Sequence, residues 1–386
     1  MAFYRLLPSA QILYDDSGAT IIDMFSFSRS NYTLEEAKRL KHILNDDISD
    51  AELDEQDNIM LSELFNAGYC YRYEKNIHND LFQGKKNPEI RGLNEEIPVF
   101  SHVFFEVGYD PNLGTNNNLY GCKLSGNWNY DHVDQEVHLD IEKTVERISK
   151  LFIDKVVLSG GSPLSKNNNA IMTLEYIELI KKYCMGKVKI EVIAPISTIS
   201  EEILDYMKKE KAVINFTIDS VEKIESAMAF IKEHGDVCMR FTSLVSLPYY
   251  FEDMCHEINV ELERINGNLT NRICENDYSE RMKRETVNYW DNHRFNSCLK
   301  NKMAISLDGK LRPCPMIEES IADLRRETID AAFQEQRLDK YWRFTKDLIP
   351  MCSKCRNRFI CEDCAFLEHM VFSHGIDGSI MCNREY

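Results

Sequence analysis

The cysteines between residue 298 and the C-terminus constrain this chain more than any other feature of its sequence. Seven of the thirteen cysteines lie there: Cys298, Cys314, Cys352, Cys355, Cys361, Cys364 and Cys382. The first two flank the hairpin-like run MAISLDGKLRPC, and the next four form the compact run CSKCRNRFICEDC. Cysteines with two residues between them place their thiolates on one side of a tight turn. A tetrahedral metal ion or an iron–sulfur cluster needs that geometry.

Two other interpretations of these cysteines stay open. Cys352, Cys355, Cys361 and Cys364 would by themselves suffice for a zinc site with four thiolates. A disulfide framework would need no metal, but such frameworks are typical of proteins outside the cytosol.

The chain lacks the sequence signals of secretion and membrane insertion. Asp15 and Asp16 interrupt the first apolar run where a signal peptide would have its core, and no run of eighteen apolar residues occurs. We therefore expect a cytoplasmic protein with reduced thiols and no membrane partner. The formal net charge of −17 also argues against a nucleic-acid partner, because phosphate binding needs basic patches. This charge suits a basic peptide and equally serves solubility alone.

The length of 386 residues predicts two or three domains, and residues 1–95 are expected to form the first of them. Two strands flank a turn at Asp15–Gly18, and helices follow over 34–44 and 57–67. Strands with short helices are typical of a small α+β module of the winged-helix-like kind. It could recognise a substrate peptide by strand addition, or it could be a packing extension of the next domain. The polar stretch 75–96 is predicted to be a linker.

Residues 96–290 change to an alternation of strands and helices. Strands are predicted over 102–107, 155–159, 188–194, 212–218 and 237–244, and helices over 140–152, 171–184, 200–209 and 220–234. This alternation predicts the α/β class with a parallel sheet. Right-handed crossovers favour an open or closed (β/α) TIM-like barrel, and a doubly wound sheet is the alternative. A further helix is predicted over 249–265.

The C-terminal ends of the strands are where a parallel barrel binds its ligands. Three segments are expected there: the loop 108–129, the turn Gly160-Gly161-Ser162, and the pair Asp219-Ser220. Paired glycines permit close approach of the backbone to a ligand, and a tight strand–helix turn explains them equally well. No constellation typical of a general base stands out.

The spacing of the C-terminal cysteines resembles that of the SPASM domain, the auxiliary-cluster domain of radical S-adenosylmethionine peptide maturases. Cys298 is followed after ten residues by Gly309 and after four more by Cys314. The compact run has gaps of two, five and two residues, and Cys382 stands apart. The family usually has three residues in the last of these gaps, so the chain departs from the pattern before Cys364.

The resemblance implies a partial (β/α) barrel of the radical S-adenosylmethionine type before this domain, but two signatures of that barrel are altered. The family carries three cysteines in the loop after the first strand, whereas Cys122 is the only cysteine of GYDPNLGTNNNLYGCKLSGNW. The family's Gly-Gly-Glu-Pro motif reads Gly160-Gly161-Ser162-Pro163, without the carboxylate that meets the cofactor. Gly160 and Gly161 would be the remnant of an S-adenosylmethionine loop. The chain therefore looks like a pseudo-radical enzyme that is unable to cleave that cofactor.

The resemblance also implies metal ligands within residues 291–386. One auxiliary [4Fe–4S] cluster would be ligated by Cys352, Cys355, Cys361 and Cys382. A second cluster would be ligated by Cys298, Cys314 and Cys364, which leaves one iron for a further ligand or for a group of the peptide.

The expected function is assistance in the maturation of a ribosomally synthesised, post-translationally modified peptide. The chain is similar to the SPASM protein of grasp-with-spasm systems, in which an ATP-grasp ligase crosslinks a precursor peptide. It would bind that peptide and assist the partner enzyme. The alternatives are a catalytic maturase that uses an auxiliary cluster for redox or Lewis-acid chemistry, and a zinc-stabilised binding protein.

Overall fold

A computed structural model of the chain describes residues 2–7, 9–23, 26, 28–45, 49–74, 99–114, 121–129, 139–165, 168–196, 199–265, 289–360 and 364–366. The predicted linker over 75–96 lies outside the described residues, as do two predicted ligands, Cys361 and Cys382.

The described elements alternate as the sequence predicts from β6 onward. The strands are β1 Phe3–Leu6, β2 Ala10–Asp15, β3 Gly18–Asp23, β4 Arg29–Thr33, β5 Cys70–Tyr73, β6 Val99–Glu106, β7 Phe152–Ser159, β8 Lys189–Ala194, β9 Val213–Ile218, β10 Met239–Ser243, β11 Glu261–Arg264, β12 Lys302–Ile305, β13 Lys310–Arg312 and β14 Ala322–Asp323. The α-helices are α1 Leu34–Asn45, α2 Glu55–Asn66, α3 Ile141–Ile148, α4 Asn168–Cys184, α5 Glu201–Glu210, α6 Glu222–His234, α7 Tyr249–Glu257, α8 Tyr289–Asn292, α9 Ile329–Gln334, α10 Asp339–Trp342 and α11 Pro350–Ser353.

A nine-stranded sheet organises the larger part of the molecule, in the order β11-β10-β9-β8-β7-β6-β12-β13-β14. Strands β6 to β11 are parallel and follow one another in sequence order. This confirms the predicted α/β class with a parallel sheet. A doubly wound sheet would reverse its strand order, whereas a (β/α) barrel keeps it. The described sheet is open, because β11 and β14 occupy its edges.

One predicted helix is wrong in its second half. The sequence favoured a single helix over 249–265, but α7 ends at Glu257 and β11 follows as a sixth parallel strand. Asn259 adopts a positive φ of 55°, a conformation that ends a helix. The alternating charges of Glu261-Leu-Glu-Arg264 concealed the strand, since only Leu262 supplies an apolar side chain.

The two faces of the parallel sheet differ in chemistry because side chains alternate along each strand. The helix-covered face is aromatic and aliphatic: Phe105 packs on Tyr176 of α4 with ring centroids 4.8 Å apart. Phe241 likewise packs on Phe251 of α7 at 5.7 Å. The opposite face carries polar side chains, among them His102, Lys155, Glu191, Asn215 and Arg240.

The C-terminal segment continues this sheet directly. Strand β12 pairs in parallel with β6, with Lys302 opposite His102. Strands β12 and β13 form a hairpin whose turn contains Gly309 at a φ of +74°. The hairpin-like run of the sequence is therefore confirmed as a hairpin. Cys298 and Cys314 flank the hairpin and do not lie on its strands.

Residues 2–74 form the predicted strands and helices around a core of their own. Strands β2, β3 and β4 make an antiparallel meander, and β1 pairs with β5. Thr33 and Glu36 cap α1 reciprocally, because the Thr33 N–H donates to the Glu36 carboxylate at 2.7 Å and the Glu36 N–H donates back to the Thr33 hydroxyl at 3.4 Å. Gly68 follows α2 at a φ of +76°. None of the helices within the described ranges combines the length and the apolarity that a membrane span requires.

Candidate functional site

The loop after β6 lies across the C-terminal ends of the parallel strands. Lys123 forms an ion pair of 2.5 Å with Glu263 of β11. The Ser125 N–H donates to the Thr217 hydroxyl of β9 at 2.7 Å. Trp128 donates its indole N–H to the Ser159 hydroxyl, the last residue of β7, at 3.0 Å. These contacts place the loop at the sheet edge where the sequence predicted a ligand site.

The Gly160-Gly161 turn packs against the start of that loop. Both glycines have positive φ, 95° and 60°. A Cβ atom on Gly160 would lie 2.7 Å from Cγ of Glu106, and one on Gly161 would lie 3.0 Å from the carbonyl carbon of Gly108. The Gly161 N–H donates to the Gly126 carbonyl at 3.2 Å. A side chain at either position would collide with Glu106 or Gly108, so the packing requires both glycines.

Polar side chains connect the loop to the position where the family motif has glutamate. The Ser162 hydroxyl donates to the Asp110 carboxylate at 2.8 Å. The Asn112 backbone N–H, followed by that hydroxyl, holds the pKa of Asp110 below its ordinary value. Asn127 spans the loop, since its amide accepts from the Asp110 N–H at 2.9 Å and donates to the Leu113 carbonyl at 2.6 Å.

A buried ionic layer lies on the polar face of the sheet. Glu191 accepts from Lys155 at 2.8 Å and from Asn215 at 2.9 Å, and Arg240 lies 3.5 Å away. Burial raises the pKa of Glu191, but Lys155 and Arg240 outweigh it, so the net pKa is lowered. Burial, followed by the charges of Lys302 and Lys155, lowers the pKa of His102 to about 3.

Four buried cysteines of the main core belong to this loop and to the C-terminal segment. Three of them, Cys298, Cys314 and Cys364, are predicted ligands of one cluster, and the fourth is Cys122 of the loop. The thiols of Cys122 and Cys314 share a hydrogen bond, and both interact electrostatically with Cys298. The Ala365 N–H, next to Cys364, donates to the Cys298 sulfur. We call these four cysteines the inner thiol group.

The inner thiol group consists of coupled acids. The hydrogen bond with Cys314 lowers the pKa of Cys122 to about 6, and the nearby Lys302 and Lys123 ammonium groups act in the same direction. The same hydrogen bond, followed by burial, raises the pKa of Cys314 well above its ordinary value. Burial also raises the pKa of Cys298. A soft metal ion bound by these cysteines would replace the thiol protons, because cysteine binds metals as thiolate.

Backbone N–H groups point at several of the predicted ligand sulfurs. The Met316 N–H donates to the Cys314 sulfur at 3.5 Å, and the Asn357 N–H donates to the Cys355 sulfur at 3.4 Å. In both cases the donor lies two residues after the cysteine. Such hydrogen bonds stabilise thiolates and tune iron–sulfur clusters. The donor set therefore fits a metal–thiolate centre.

The second set of predicted ligands is represented by Cys352 and Cys355, which we call the outer thiol group. Cys352 is half-buried at the end of α11, and Cys355 is buried in the turn that follows. The Cys355 N–H donates to the Cys352 carbonyl at 2.9 Å, so the two cysteines share one turn, as the spacing predicts.

The N-terminal meander holds the outer thiol group in place. Arg356 donates to the carbonyls of Ala19 and Tyr32 at 3.2 and 2.9 Å, and its backbone N–H donates to Asp15 at 3.2 Å. Arg29 of β4 donates to the Asn357 amide at 2.9 Å. Ile22 of β3 packs in a separate core cluster with Tyr289, Phe359 and Ile360.

The structure describes five of the seven predicted cysteine ligands. The structure brings Cys298, Cys314 and Cys364 into one core and places Cys352 and Cys355 on one turn. All ten described cysteines are free thiols. Within the described ranges, no group of three or more His, Cys, Asp and Glu side chains is arranged as it stands to hold a metal ion. The sequence did not predict Cys122 as a partner of these cysteines, although it showed that Cys122 is the only cysteine of the loop.

Comparisons with known proteins give structural alignments only. No family model and no curated protein matches the sequence. Streptococcus suis SuiB aligns over 98% of this chain and 100% of that chain, at 12% identity and a TM-score of 0.49. The complex of SuiB with precursor peptide SuiA aligns over 99% of this chain and 100% of that chain, at 13% identity and a TM-score of 0.48.

A third alignment is with Escherichia coli coproporphyrinogen III oxidase HemN, a radical SAM enzyme. It covers 69% of this chain and 77% of that chain, at 12% identity and a TM-score of 0.36. Because these TM-scores lie below 0.5, we base the fold on the strand order and not on the alignments.

Proposed function

We propose that the protein assists the maturation of a ribosomally synthesised peptide and does not cleave S-adenosylmethionine. In this proposal residues 96–290 are a degenerate radical-enzyme barrel, and residues 291–386 are a SPASM domain that holds two auxiliary iron–sulfur clusters. The protein binds the precursor peptide and presents it to a modifying enzyme such as an ATP-grasp ligase. Binding and presentation need no radical chemistry from this chain.

The packing at the Gly160-Gly161 turn is the observation that carries this proposal. In the family, the two glycines let the backbone approach the cofactor. Here the chain itself occupies the near side of the turn: Gly108 and Gly126 contact Gly161, and Glu106 contacts Gly160. A cofactor at this turn would have to displace residues that the sheet-edge hydrogen bonds hold in place.

The substitution at Ser162 supports the same proposal. A glutamate here would supply a carboxylate for an ammonium group, as the family motif does. Serine supplies a hydroxyl, and that hydroxyl donates to Asp110 of the chain. The hydrogen bond gives Ser162 a structural partner inside the protein.

The N-terminal module offers a plausible binding element for a peptide. Its meander has β2 and β4 as edge strands. An edge strand presents unpaired backbone groups that an extended peptide can pair with. In the proposal, residues 1–95 recognise the precursor peptide by strand addition, and the polar face of the barrel receives the segment to be modified.

The proposal is tested with anaerobically purified, full-length protein. Isothermal titration calorimetry with S-adenosylmethionine should show no binding, and chromatography of the reduced mixture should show no 5′-deoxyadenosine. Fluorescein-labelled synthetic peptides, one for each short reading frame beside the gene, should include one that raises the fluorescence anisotropy saturably. Production of 5′-deoxyadenosine above that of the Cys314→Ala variant would contradict the proposal.

Two alternative functions give different results in the same experiment. A catalytic maturase that uses an auxiliary cluster would change the mass of the peptide without a partner, and the change would disappear in Cys364→Ala. A zinc-stabilised binding protein would bind a peptide but would be colourless, with stoichiometric zinc and no iron.

A further inference from the structure

The position of Cys122 is not explained by the fold or by the proposed function. Its loop is fixed at three points that follow the cysteine: Lys123 on Glu263, Ser125 on Thr217, and the Asn129 amide on the Met316 carbonyl at 3.3 Å. The last contact joins the loop to the segment just after Cys314. This contact places the segment of Cys122, the only cysteine of the loop 108–129, beside the C-terminal hairpin.

The surroundings of Cys122 have the chemistry of a metal ligand. It is 7% exposed and shares a hydrogen bond with Cys314, which in turn lies beside Cys298. Lys302 and Lys123 supply positive charge next to the sulfur atoms. Clustered thiolates carry one negative charge each, and nearby ammonium groups offset part of it.

Cysteines elsewhere in the chain show the contrasting situation of a packed thiol. Cys255 of α7 is 2% exposed and faces the main core, and burial raises its pKa. Cys70 is 4% exposed in the N-terminal core, where burial again raises its pKa. These two cysteines behave as small apolar side chains. Cys122 differs because the Cys314 thiol shares a hydrogen bond with it and Cys298 lies nearby.

We propose that Cys122 is the fourth protein ligand of the metal centre formed by Cys298, Cys314 and Cys364. The centre is a four-thiolate site that joins the barrel mouth to the C-terminal hairpin. The inference goes beyond the proposed function, since it concerns the ligation of one metal centre and not the reaction that the protein serves. A cluster with four protein ligands has no open iron, so the peptide does not bind to it directly.

Metal loading should then control the loop that packs on the Gly160-Gly161 turn. Residues 121–129 would be tied to the C-terminal hairpin through the metal as well as through the Asn129 hydrogen bond. Without metal, only the sheet-edge contacts would hold the loop. Loading should therefore slow amide exchange over 121–129 more than over the helices α4 and α6.

The test compares metal content and electron paramagnetic resonance of the full chain after anaerobic reconstitution with ferrous iron and sulfide. The Cys122→Ala variant should lose about one iron per chain and, after mild oxidation, give the signal of a three-iron cluster that the wild type lacks. Cys255→Ala is the matched control, a buried cysteine of the same core, and should keep the wild-type iron content and spectrum. Retention of the wild-type iron content and spectrum by Cys122→Ala would overturn the proposal.

A second variant keeps the test decisive if Cys122→Ala does not fold. Cys122→Ser retains the shape of the side chain and exchanges a sulfur ligand for oxygen. In zinc-reconstituted protein, X-ray absorption should then show one oxygen in place of one sulfur at the inner zinc. Averaged over the two zinc sites, this is about half an oxygen neighbour per zinc. An unchanged all-sulfur shell would also overturn the proposal. Loss of about four irons with Cys314→Ala but none with Cys122→Ser would do the same.

Discussion

The inner and outer thiol groups differ in what surrounds them. The inner group lies in the main core, with its four cysteines 2–7% exposed. The loop after β6 contributes Cys122, the residues that flank the β12–β13 hairpin contribute Cys298 and Cys314, and Cys364 follows later in the chain. The outer group lies near the surface, with Cys352 half-buried, and the N-terminal meander holds its turn through Arg356 and Asn357.

This difference shows two ways in which one chain can prepare a thiolate site. The inner group is positioned by elements far apart in sequence, so its geometry depends on the completed fold. The outer group is positioned by a local turn, and a separate module then stabilises that turn. We therefore expect the inner group to respond to changes in the loop 121–129, and the outer group to respond to changes in residues 2–74.

The largest effect is expected for Arg356→Ala. The Asp15 side chain is only 4% exposed and lies 3.7 Å from the Arg356 guanidinium, so the variant removes a cation from beside a buried carboxylate. It also removes the donor to the Ala19 and Tyr32 carbonyls. The free energy of unfolding of the N-terminal module should fall by about 3–5 kcal/mol. Hydrogen exchange of β3 and β4 measures this. Arg326→Ala, at an exposed arginine, is the control and should lower it by under ~1 kcal/mol. Equal effects would contradict the assigned role of Arg356.

A smaller effect is expected for Gly18→Ala in the same interface. Gly18 has a φ of +146°, and an added Cβ would lie 2.0 Å from the Tyr32 carbonyl oxygen. Relief of this clash would separate β3 from β4, so urea denaturation should show a loss of about 3 kcal/mol. Gly68→Ala is the matched control, because its φ is +76° in open space; it should lose about 1 kcal/mol. Similar losses in the two variants would contradict the close contact of β3 with β4 at Gly18.

The next effect concerns the polar layer that underlies the inner group. The pKa of His102 is lowered from 6.5 to about 3, so the folded protein holds this ring neutral while the unfolded chain protonates it near 6.5. Its contribution to stability is complete above pH ~6.5 and is lost as the pH falls toward ~3, by up to about 1.4 kcal/mol per pH unit.

The variant His102→Asn should flatten this acid-dependent loss. Urea denaturation at pH 7 and pH 5 measures it: the wild type should lose more stability between the two values than the variant, by about 1–2 kcal/mol. His256→Asn, at an exposed histidine of α7, is the control and should keep the wild-type slope. If His102→Asn also keeps that slope, His102 is not the group responsible.

An effect of similar size is expected for Trp128→Phe in the loop 121–129. The variant keeps an aromatic ring but loses the indole N–H that donates to the buried Ser159 hydroxyl. Removal of one partner of a buried hydrogen bond should lower the free energy of unfolding by about 1–2 kcal/mol. It should also speed amide exchange over 121–129 without affecting the N-terminal module. An effect on β3 and β4 of similar size would blur the distinction between the two thiol groups.

Sequence reasoning predicted elements whose signals are local. The helix over 34–44, the hairpin of the run MAISLDGKLRPC and the shared turn of Cys352 and Cys355 all follow from residues a few positions apart. The alternation of strands and helices likewise predicted the parallel sheet. Strand β11 was missed because its side chains are mostly charged and none of them is buried. Only its parallel pairing with β10 identifies it.

The long-range arrangement was beyond local signals. Cys122 is about 190 residues from Cys314 in sequence, and nothing in its own segment specifies the partner. The docking of Arg356 on the carbonyls of Ala19 and Tyr32 uses backbone atoms, which carry no sequence signature at all. Such contacts depend on tertiary packing, so the fold has to be known before they can be identified.

The measurement that tests the account most directly is the iron, sulfide and zinc content of anaerobically purified protein, with its visible spectrum. The account predicts about eight irons and eight sulfides per chain and a brown colour, from two thiolate-bound clusters. About twelve irons per chain would mean that the loop after β6 holds a third cluster. In that case Cys122 would ligate this third cluster and not the metal of the inner thiol group. The protein would then retain the means to cleave S-adenosylmethionine.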